Sequence, residues 1–302
     1  MHIVVTGGRG FIGREVVRLL LDSGEHSVTI TSRSHDPVPE WGSRVRVIQA
    51  YAGQPLSLGR AFTGADVVIH AIQFPNHPVE NPRKGRTYLA IDGAGTAVAA
   101  RVAQALGVRR FVYLSGAGAG QGRSEPWFRA KDQAEAAIRE SGMEYALVRP
   151  SWIYGPGDRS MNRFAMFCRY LPIVPVIGDG QTEVDPIYVE DVARVVTALA
   201  TRDDGAGRVL DLGGPERLTM DAIIRTLQRV LGVRRPLLHH PKALMKTLVW
   251  PLQWLPEPPL SPSAVDFVTA QVDLDPRPAM EYLGASFKTL EQGLRAYLGR
   301  TS

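Results

Sequence analysis

The stretch from Val4 to Gly24, VVTGGRGFIGREVVRLLLDSG, limits the possible folds more than any other part of the chain. Ile3, Val4 and Val5 make a short apolar run suited to a parallel strand covered on both faces. Gly7, Gly10 and Gly13 follow at the spacing that lets bare backbone approach a pyrophosphate, and the last lets a helix sit close on its strand. The helix offers unpaired N–H groups and the positive end of its dipole to phosphates. Its expected buried side is Ile12, Val16, Val17, Leu19 and Leu20, and Gly24 stops it. A glycine triplet alone is a weak signal. One that follows a strand, opens a helix and begins the chain is strong.

Composition narrows the class. With 302 residues, 44% of them hydrophobic, the chain can bury an ample core, and about two domains are expected. The single cysteine, Cys168, excludes an internal disulfide and suits a reducing compartment. No apolar stretch approaches the roughly 20 residues a spanning helix needs. A chain that opens in a core strand is expected to carry no cleavable leader, so the expected location is cytoplasmic. The formal charge of +5 is spread over residues such as Arg44, Arg46, Arg83, Lys84, Arg86, Arg234 and Arg235, with no aromatic interleaving. That pattern argues against nucleic acid and for attraction of an anionic cofactor.

Strand and helix patterns alternate, which predicts an α/β, Rossmann-like doubly wound parallel sheet with a smaller C-terminal substrate-binding region. Strands are expected at Ser27–Thr31, Arg44–Gln49, Ala65–Ile72, Arg110–Ser115 and Tyr145–Arg149, with helices at Thr87–Leu106 and Arg129–Ser141. Beyond Pro150 proline and glycine become frequent and the alternation stops. The dinucleotide-binding body is therefore placed at 1–155, segments near 182–213 are expected to return to it, and 156–302 form the second region. Residues 243–260, ALMKTLVWPLQWLPEPPL, are the most apolar late segment, and Pro251 breaks any helix there. They suit domain packing, an apolar pocket or peripheral contact with a membrane surface.

Taken in order, TGGRGFIG, FVYLSG, WFRAKDQAE and LVRPSWIYGPGD resemble the extended and atypical short-chain dehydrogenase/reductase superfamily over essentially the whole chain. RPSWIYGPGDRSMNRF, PIYVEDVA and LGASFKTLEQGLRAYL resemble one branch of it. That branch contains the nucleotide-binding accessory subunit of respiratory complex I and stand-alone bacterial relatives. The resemblance implies that Gly7, Arg9, Gly10, Phe11, Ile12, Gly13, Ser32, Arg33, Ala71, Ile72, Ser115, Lys131, Pro150 and Ser151 hold the dinucleotide.

An NAD-selective site usually ends its second strand with an acidic residue for the ribose hydroxyls. This chain reads Thr31-Ser32-Arg33, and Arg33 can bind a 2′-phosphate in bidentate fashion. Arg9 resembles the second basic position of NADP-preferring relatives. NADP(H) is therefore expected, with NAD(H) the alternative. Relatives often carry an aspartate after the third strand, where this chain reads Gln49-Ala50-Tyr51.

The resemblance also exposes a gap. Trp127 stands where the family has its proton-donating tyrosine, and Lys131 follows at helical i+4 spacing. Indole carries only a donor N–H and does not titrate usefully. Gly116 stands where the family's serine is expected, with Ser115 one residue early. Lys131 is left as donor to the ribose hydroxyls or as proton source with its pKa lowered by burial, its ordinary alternative being a surface pair with Glu135. Tyr154 and water are the other proton sources.

Residues beyond about 155, with Tyr154, Met161, Phe164, Trp250 and Trp254, are expected to roof an apolar pocket. The seven histidines lack metal-ligand spacing, and YLSGA is no nucleophile elbow. Three functions remain open. The first is an oxidoreductase acting on an apolar carbonyl, quinone or enone. The second is a non-catalytic dinucleotide-binding accessory, assembly or redox-sensing protein with a protein partner. The last is a nucleotide-sugar epimerase or dehydratase.

Overall fold

A computed structural model describes residues 1–74, 79–251, 265–266 and 272–299, with only the backbone at 248 and 249. A seven-stranded sheet organises it. In chain order the first strands are β1 (His2–Thr6), β2 (Ser27–Ser32), β3 (Val45–Gln49) and β4 (Val67–His70). Next come β5 (Arg110–Leu114), β6 (Glu144–Pro150) and, much later, Arg208–Leu212. The spatial order is Arg208–Leu212, β6, β5, β4, β1, β2, β3, and every pairing is parallel. The chain thus runs outward from β1 to β3, then restarts on the other side of β1 with β4. That reversal opens a crevice between the carboxyl ends of β1 and β4, the place where such sheets bind ligands.

Alternation along each strand builds two cores. Ile3, Val5, Val112 and Leu114 point to one face, covered by α1 (Phe11–Ser23) and by the helix Val189–Thr201. Val4, Phe111 and Tyr113 point to the other, covered by α2 (Pro55–Phe62), α3 (Thr96–Ala105) and α4 (Pro126–Glu140). Each fully buried Val, Ile or Leu contributes about 1.5–3 kcal/mol, so both faces are strongly specified. In α1 the buried set is Gly13, Val16, Val17 and Leu20, while Ile12 and Leu19 are only half-buried.

A third core lies in the late chain. It joins Tyr154 of β7 (Ile153–Tyr154), Met161, Ala165 and Cys168 of α5 (Ser160–Tyr170), and Val174 and Val176 of β8 (Val174–Ile177). Ile223 and Leu227 of Met220–Leu231 and Leu290 and Leu294 of Leu290–Leu298 complete it. The last helix starts on a capping box between Thr289 and Gln292. Leu237–His240 pairs in parallel with β8 and leads into Lys242–Val249.

Two sequence expectations are corrected. The helix expected over Thr87–Leu106 is α3 preceded by a π-helical turn, Leu89–Gly95, because Gly93 and Gly95 let the backbone widen there. The helix α2 was not expected at all, since Pro55 and Gly59 masked an apolar face of Leu58, Ala61 and Phe62. Trp254 and residues 252–260 lie outside the described residues. No helix among the described residues is long and apolar enough to cross a membrane.

Candidate functional site

The glycine turn closes onto the end of β4. Gly7 holds φ +70°, a conformation open to glycine, and a Cβ there would lie 2.9 Å from the carbonyl oxygen of Ala71 and 3.3 Å from the nitrogen of Ile72. A Cβ on Gly13 would lie 2.3 Å from the Gly7 oxygen. The turn is therefore backbone against backbone. Gly10 caps α1 without a side-chain hydrogen bond, and the first helical turn, opening with Phe11, Ile12 and Gly13, holds no acid. Its N–H groups and dipole are left for an anion.

The cations come from the glycine turn, which carries Arg9, and from just past the end of β2, where Arg33 stands. Arg9 donates to the carbonyl of Asp36, in the loop just past Arg33. Its Nε is buried with no hydrogen-bond partner among the described residues. Arg33 is exposed, while its carbonyl accepts from Gln49 Nε2 at 2.8 Å and from the Tyr51 hydroxyl at 3.4 Å. The Gln49-Ala50-Tyr51 departure thus braces the loop that carries Arg33. Ser32 Oγ accepts from the Ser34 amide at 3.2 Å. These groups fit a dinucleotide: an uncapped helix start, a cradle that a Cβ would fill, and an orphaned guanidinium nitrogen at the end of the second strand.

At the carboxyl ends of β4 and β5 sits Lys131 of α4. It is buried, and its Nζ donates to the Tyr113 hydroxyl at 3.3 Å and lies 3.9 Å from Asp92 Oδ2. Asp92 comes from the π-helical turn, and its Oδ1 accepts from the Phe74 amide at 2.8 Å. Burial alone would lower the Lys131 ammonium, but Asp92 and Tyr113 outweigh it and hold the group above the usual lysine range. That corrects two expectations. Lys131 is not poised near neutrality as an acid, and it makes no surface pair with Glu135. Burial raises the Asp92 carboxyl, against the pull of Lys131. Beyond Tyr113, Thr96 Oγ1 is 3.2 Å from His70 Nε2, and His70 Nδ1 is 2.9 Å from Thr6 Oγ1. Burial, then the Lys131 charge, lowers His70 to about 3, so it is neutral.

Glu135 anchors a second network. It accepts from Ser115 Oγ at 2.7 Å, from Arg149 Nε at 2.9 Å and from Arg139 at 3.0 Å. Burial would raise its carboxyl, yet Arg149 and Ser115 hold it below the usual range. Ser115 is thereby a buried brace between β5 and α4. The Pro150 carbonyl accepts from the Ala117 amide, and the Ser151 amide donates to Leu212. Gly116 faces Lys131, since a Cβ on it would lie 3.8 Å from Lys131 Cε.

Tyr154 is also corrected. Its hydroxyl donates to the carbonyls of Thr289 at 3.2 Å and Leu290 at 3.4 Å inside the third core, and burial pushes the phenol up. Met161 is fully buried there, Phe164 packs against it, and neither roofs a cleft at Lys131. Trp127 packs between Tyr88, at 6.2 Å between ring centroids, and Phe128, at 5.6 Å. It opens on a cleft of about 440 Å³ bounded by Tyr88, Pro126, Arg123 and Asp266. No trio of metal-ligating side chains occurs among the described residues. Asp92 and Glu135 were missed in the sequence because a π-turn and a tertiary contact, not spacing, give them their roles.

A family model described as NAD(P)H-binding matches residues 7–203. The chain is similar to the mitochondrial NADH dehydrogenase (ubiquinone) 1 alpha subcomplex subunit 9 of Arabidopsis thaliana, 29% identical over 235 residues, 71% of this chain and 54% of that one. It thus spans about half the length of that relative. It is 31% identical to a ceramide reductase of Caulobacter vibrioides over 246 residues, 79% of this chain and 73% of that one. It is 33% identical to a (4-alkanoyl-5-oxo-2,5-dihydrofuran-3-yl)methyl phosphate reductase of Streptomyces griseus over 245 residues, 78% of this chain and 75% of that one. A solved nucleoside-diphosphate-sugar epimerase of Staphylococcus aureus superposes with a TM-score of 0.78 at 18% identity, covering 98% of this chain and 100% of that one, a likeness of fold alone.

Proposed function

The chain belongs to the NAD(P)H-binding family built on the short-chain dehydrogenase/reductase fold, and from that membership we propose an NADP(H)-dependent reductase of an apolar carbonyl, quinone or enone. The observation that carries this reading is Lys131, buried, charged and held by Asp92 and Tyr113 beside Gly116. A structural dinucleotide needs no buried ammonium at the ring end of the crevice. The two reductases above, whose names carry a ceramide and an alkanoyl group, support an aliphatic substrate.

Gly7, Gly10 and Gly13 with the start of α1 would hold the pyrophosphate, and Arg9, Ser32 and Arg33 the 2′-phosphate. Bound there, NADPH would supply hydride from its nicotinamide. Lys131 would bind the ribose hydroxyls and stabilise negative charge developing on the substrate oxygen. Because its proton is held tightly, the oxygen is protonated from water. Trp127 and Tyr88 give the substrate an apolar wall.

Stopped-flow oxidation of NADPH with long-chain ketones, quinones, enones and aldehydes tests this, with the wild type compared with Lys131→Met. Turnover that depends on Lys131 is expected. Tight NADPH binding with no turnover on any member overturns it and supports the second reading, a dinucleotide-binding accessory or redox-sensing protein. Trp127 at the proton donor's place and the complex I relative favour that second reading.

A further inference from the structure

The parallel pairing of β8 with Leu237–His240 joins two stretches, 159–178 and 232–250, that contain no aspartate or glutamate. They carry Arg159, Arg163, Arg169, Arg234, Arg235, Lys242 and Lys246. Of the chain's 35 basic residues, seven therefore sit here, and the remaining 28 face all 30 carboxylates. The net positive charge of the chain is thus carried by these two stretches, with Arg159, Arg169, Arg234 and Lys242 exposed. Sequence alone showed it as dispersed, because strand pairing and not proximity along the chain gathers it.

The same stretches are greasy on the outside. Half of the large apolar side chains exposed among the described residues lie on them: Met166, Tyr170, Leu171 and Ile173 from the first, Leu238, Leu244 and Trp250 from the second. Tyr170 is 77% exposed and Trp250 55%. This is no failed core, since Cys168, Val174 and Val176 of the same elements are buried on the inner side. Leu238 stands in register with Pro175 on the outer side of the ribbon. Among the described residues the bordering carboxylates are few: Asp158 accepts from the Met161 amide at the start of α5, Asp179 begins the next loop, Asp221 meets His239, and Asp266 pairs with Lys246 at 2.5 Å.

We propose that this face docks on an anionic phospholipid bilayer. Basic side chains meet headgroup charge while Tyr170, Ile173, Leu244 and Trp250 enter the interfacial layer, where aromatic and aliphatic groups are favoured. A second copy is the poorer occupant, because a two-fold interface would set this cationic patch against itself. Nucleic acid would use the charges and leave the aliphatic side chains without a role. Asp266 links Lys246 of the docking helix to the cleft at Trp127, so the bilayer would lie beside the mouth through which an aliphatic substrate enters. The proposal does not depend on the chemistry proposed above.

Flotation of the full chain with two vesicle types tests it, one of phosphatidylcholine alone and one containing about a third phosphatidylglycerol. Binding to the anionic vesicles, released by salt, and little binding to the neutral ones are expected. R169Q/R234Q/K242Q should weaken that binding roughly a hundredfold, about fivefold per charge. Y170S/I173S should weaken it through lost apolar burial at unchanged charge. Calorimetry with NADPH checks that each variant is folded, because none of these positions touches the dinucleotide crevice. Equal partition into both vesicles, none into either, or indifference to both variants overturns the proposal. So does a dimer that the triple variant dissociates, or binding of duplex DNA in place of vesicles.

Discussion

Two glycines define opposite kinds of site. A Cβ on Gly13 would strike the Gly7 carbonyl oxygen at 2.3 Å and the Gly8 Cα at 2.9 Å, both backbone atoms that cannot move aside. A Cβ on Gly116 would meet nothing nearer than Lys131 Cε, at 3.8 Å. The nucleotide cradle is thus dictated by main-chain sterics, and the ledge around Lys131 by which side chains happen to arrive. A fold of this kind keeps its cofactor through backbone geometry and changes its chemistry by exchanging a few groups on the ledge.

The sharpest way to break that contrast is Gly13→Val. NADPH affinity should fall by more than about a hundredfold, or the amino-terminal half should fail to fold, since the added carbons have no space to enter. Calorimetry with a thermal melt separates the two outcomes. Affinity within a few-fold of wild type would refute the cradle.

Lys131→Met comes next. Turnover should drop about a hundredfold or more. Stability should drop by about 3 kcal/mol, because Asp92 is left buried without its cation. Adding Asp92→Asn should restore much of the stability and none of the turnover. Denaturant titration beside steady-state kinetics reads both. If the double variant is no more stable than Lys131→Met, the ion pair is not what holds the ledge.

The contrast also explains what the sequence disclosed. The glycine turn and the strands of the main sheet were legible because each is set by a few consecutive residues: apolar runs and glycine spacing. The ledge was not. Asp92 reaches Lys131 only because a π-turn rotates it inward, and Glu135 is recognisable as a hub only once Ser115 and Arg149 are beside it. Tyr154 looked catalytic from its neighbours in the chain, but contacts more than a hundred residues away make it a core residue. Periodicity reports burial and pairing along one element. It is silent on which buried polar groups meet across elements.

A smaller effect separates the regions by pH. His70 bridges them, touching Thr6 below the cradle and Thr96 beneath the ledge. Its folded pKa of about 3 lies below the ordinary 6.5, so between those values the unfolded chain binds a proton that the folded chain refuses. Its contribution is complete above pH 6.5 and is lost as pH falls towards 3, with a slope of up to about 1.4 kcal/mol per pH unit. His70→Asn should flatten that part of the acid limb in urea titrations at pH 6, 5 and 4, between the folded and unfolded pKa values. An unchanged slope would mean that other groups carry it.

The smallest expected effect tests the ledge directly. Gly116 has no positive φ and an open Cβ direction, so Gly116→Ser should shift stability by less than about 1 kcal/mol. Its hydroxyl would stand near Lys131, yet turnover should change by less than about tenfold, because a serine orients a substrate oxygen and does not replace the missing acid. Trp127→Tyr is different. Tyrosine leaves part of the space between Tyr88 and Phe128 empty, at a cost of about 1–2 kcal/mol, and adds a phenol four residues before a charged lysine. If the double variant gains turnover over either single one, the ledge lacks only a donor. If Gly116→Ser alone gains as much, the serine position was the limiting loss, and Trp127 is a wall that the reaction never needed to replace.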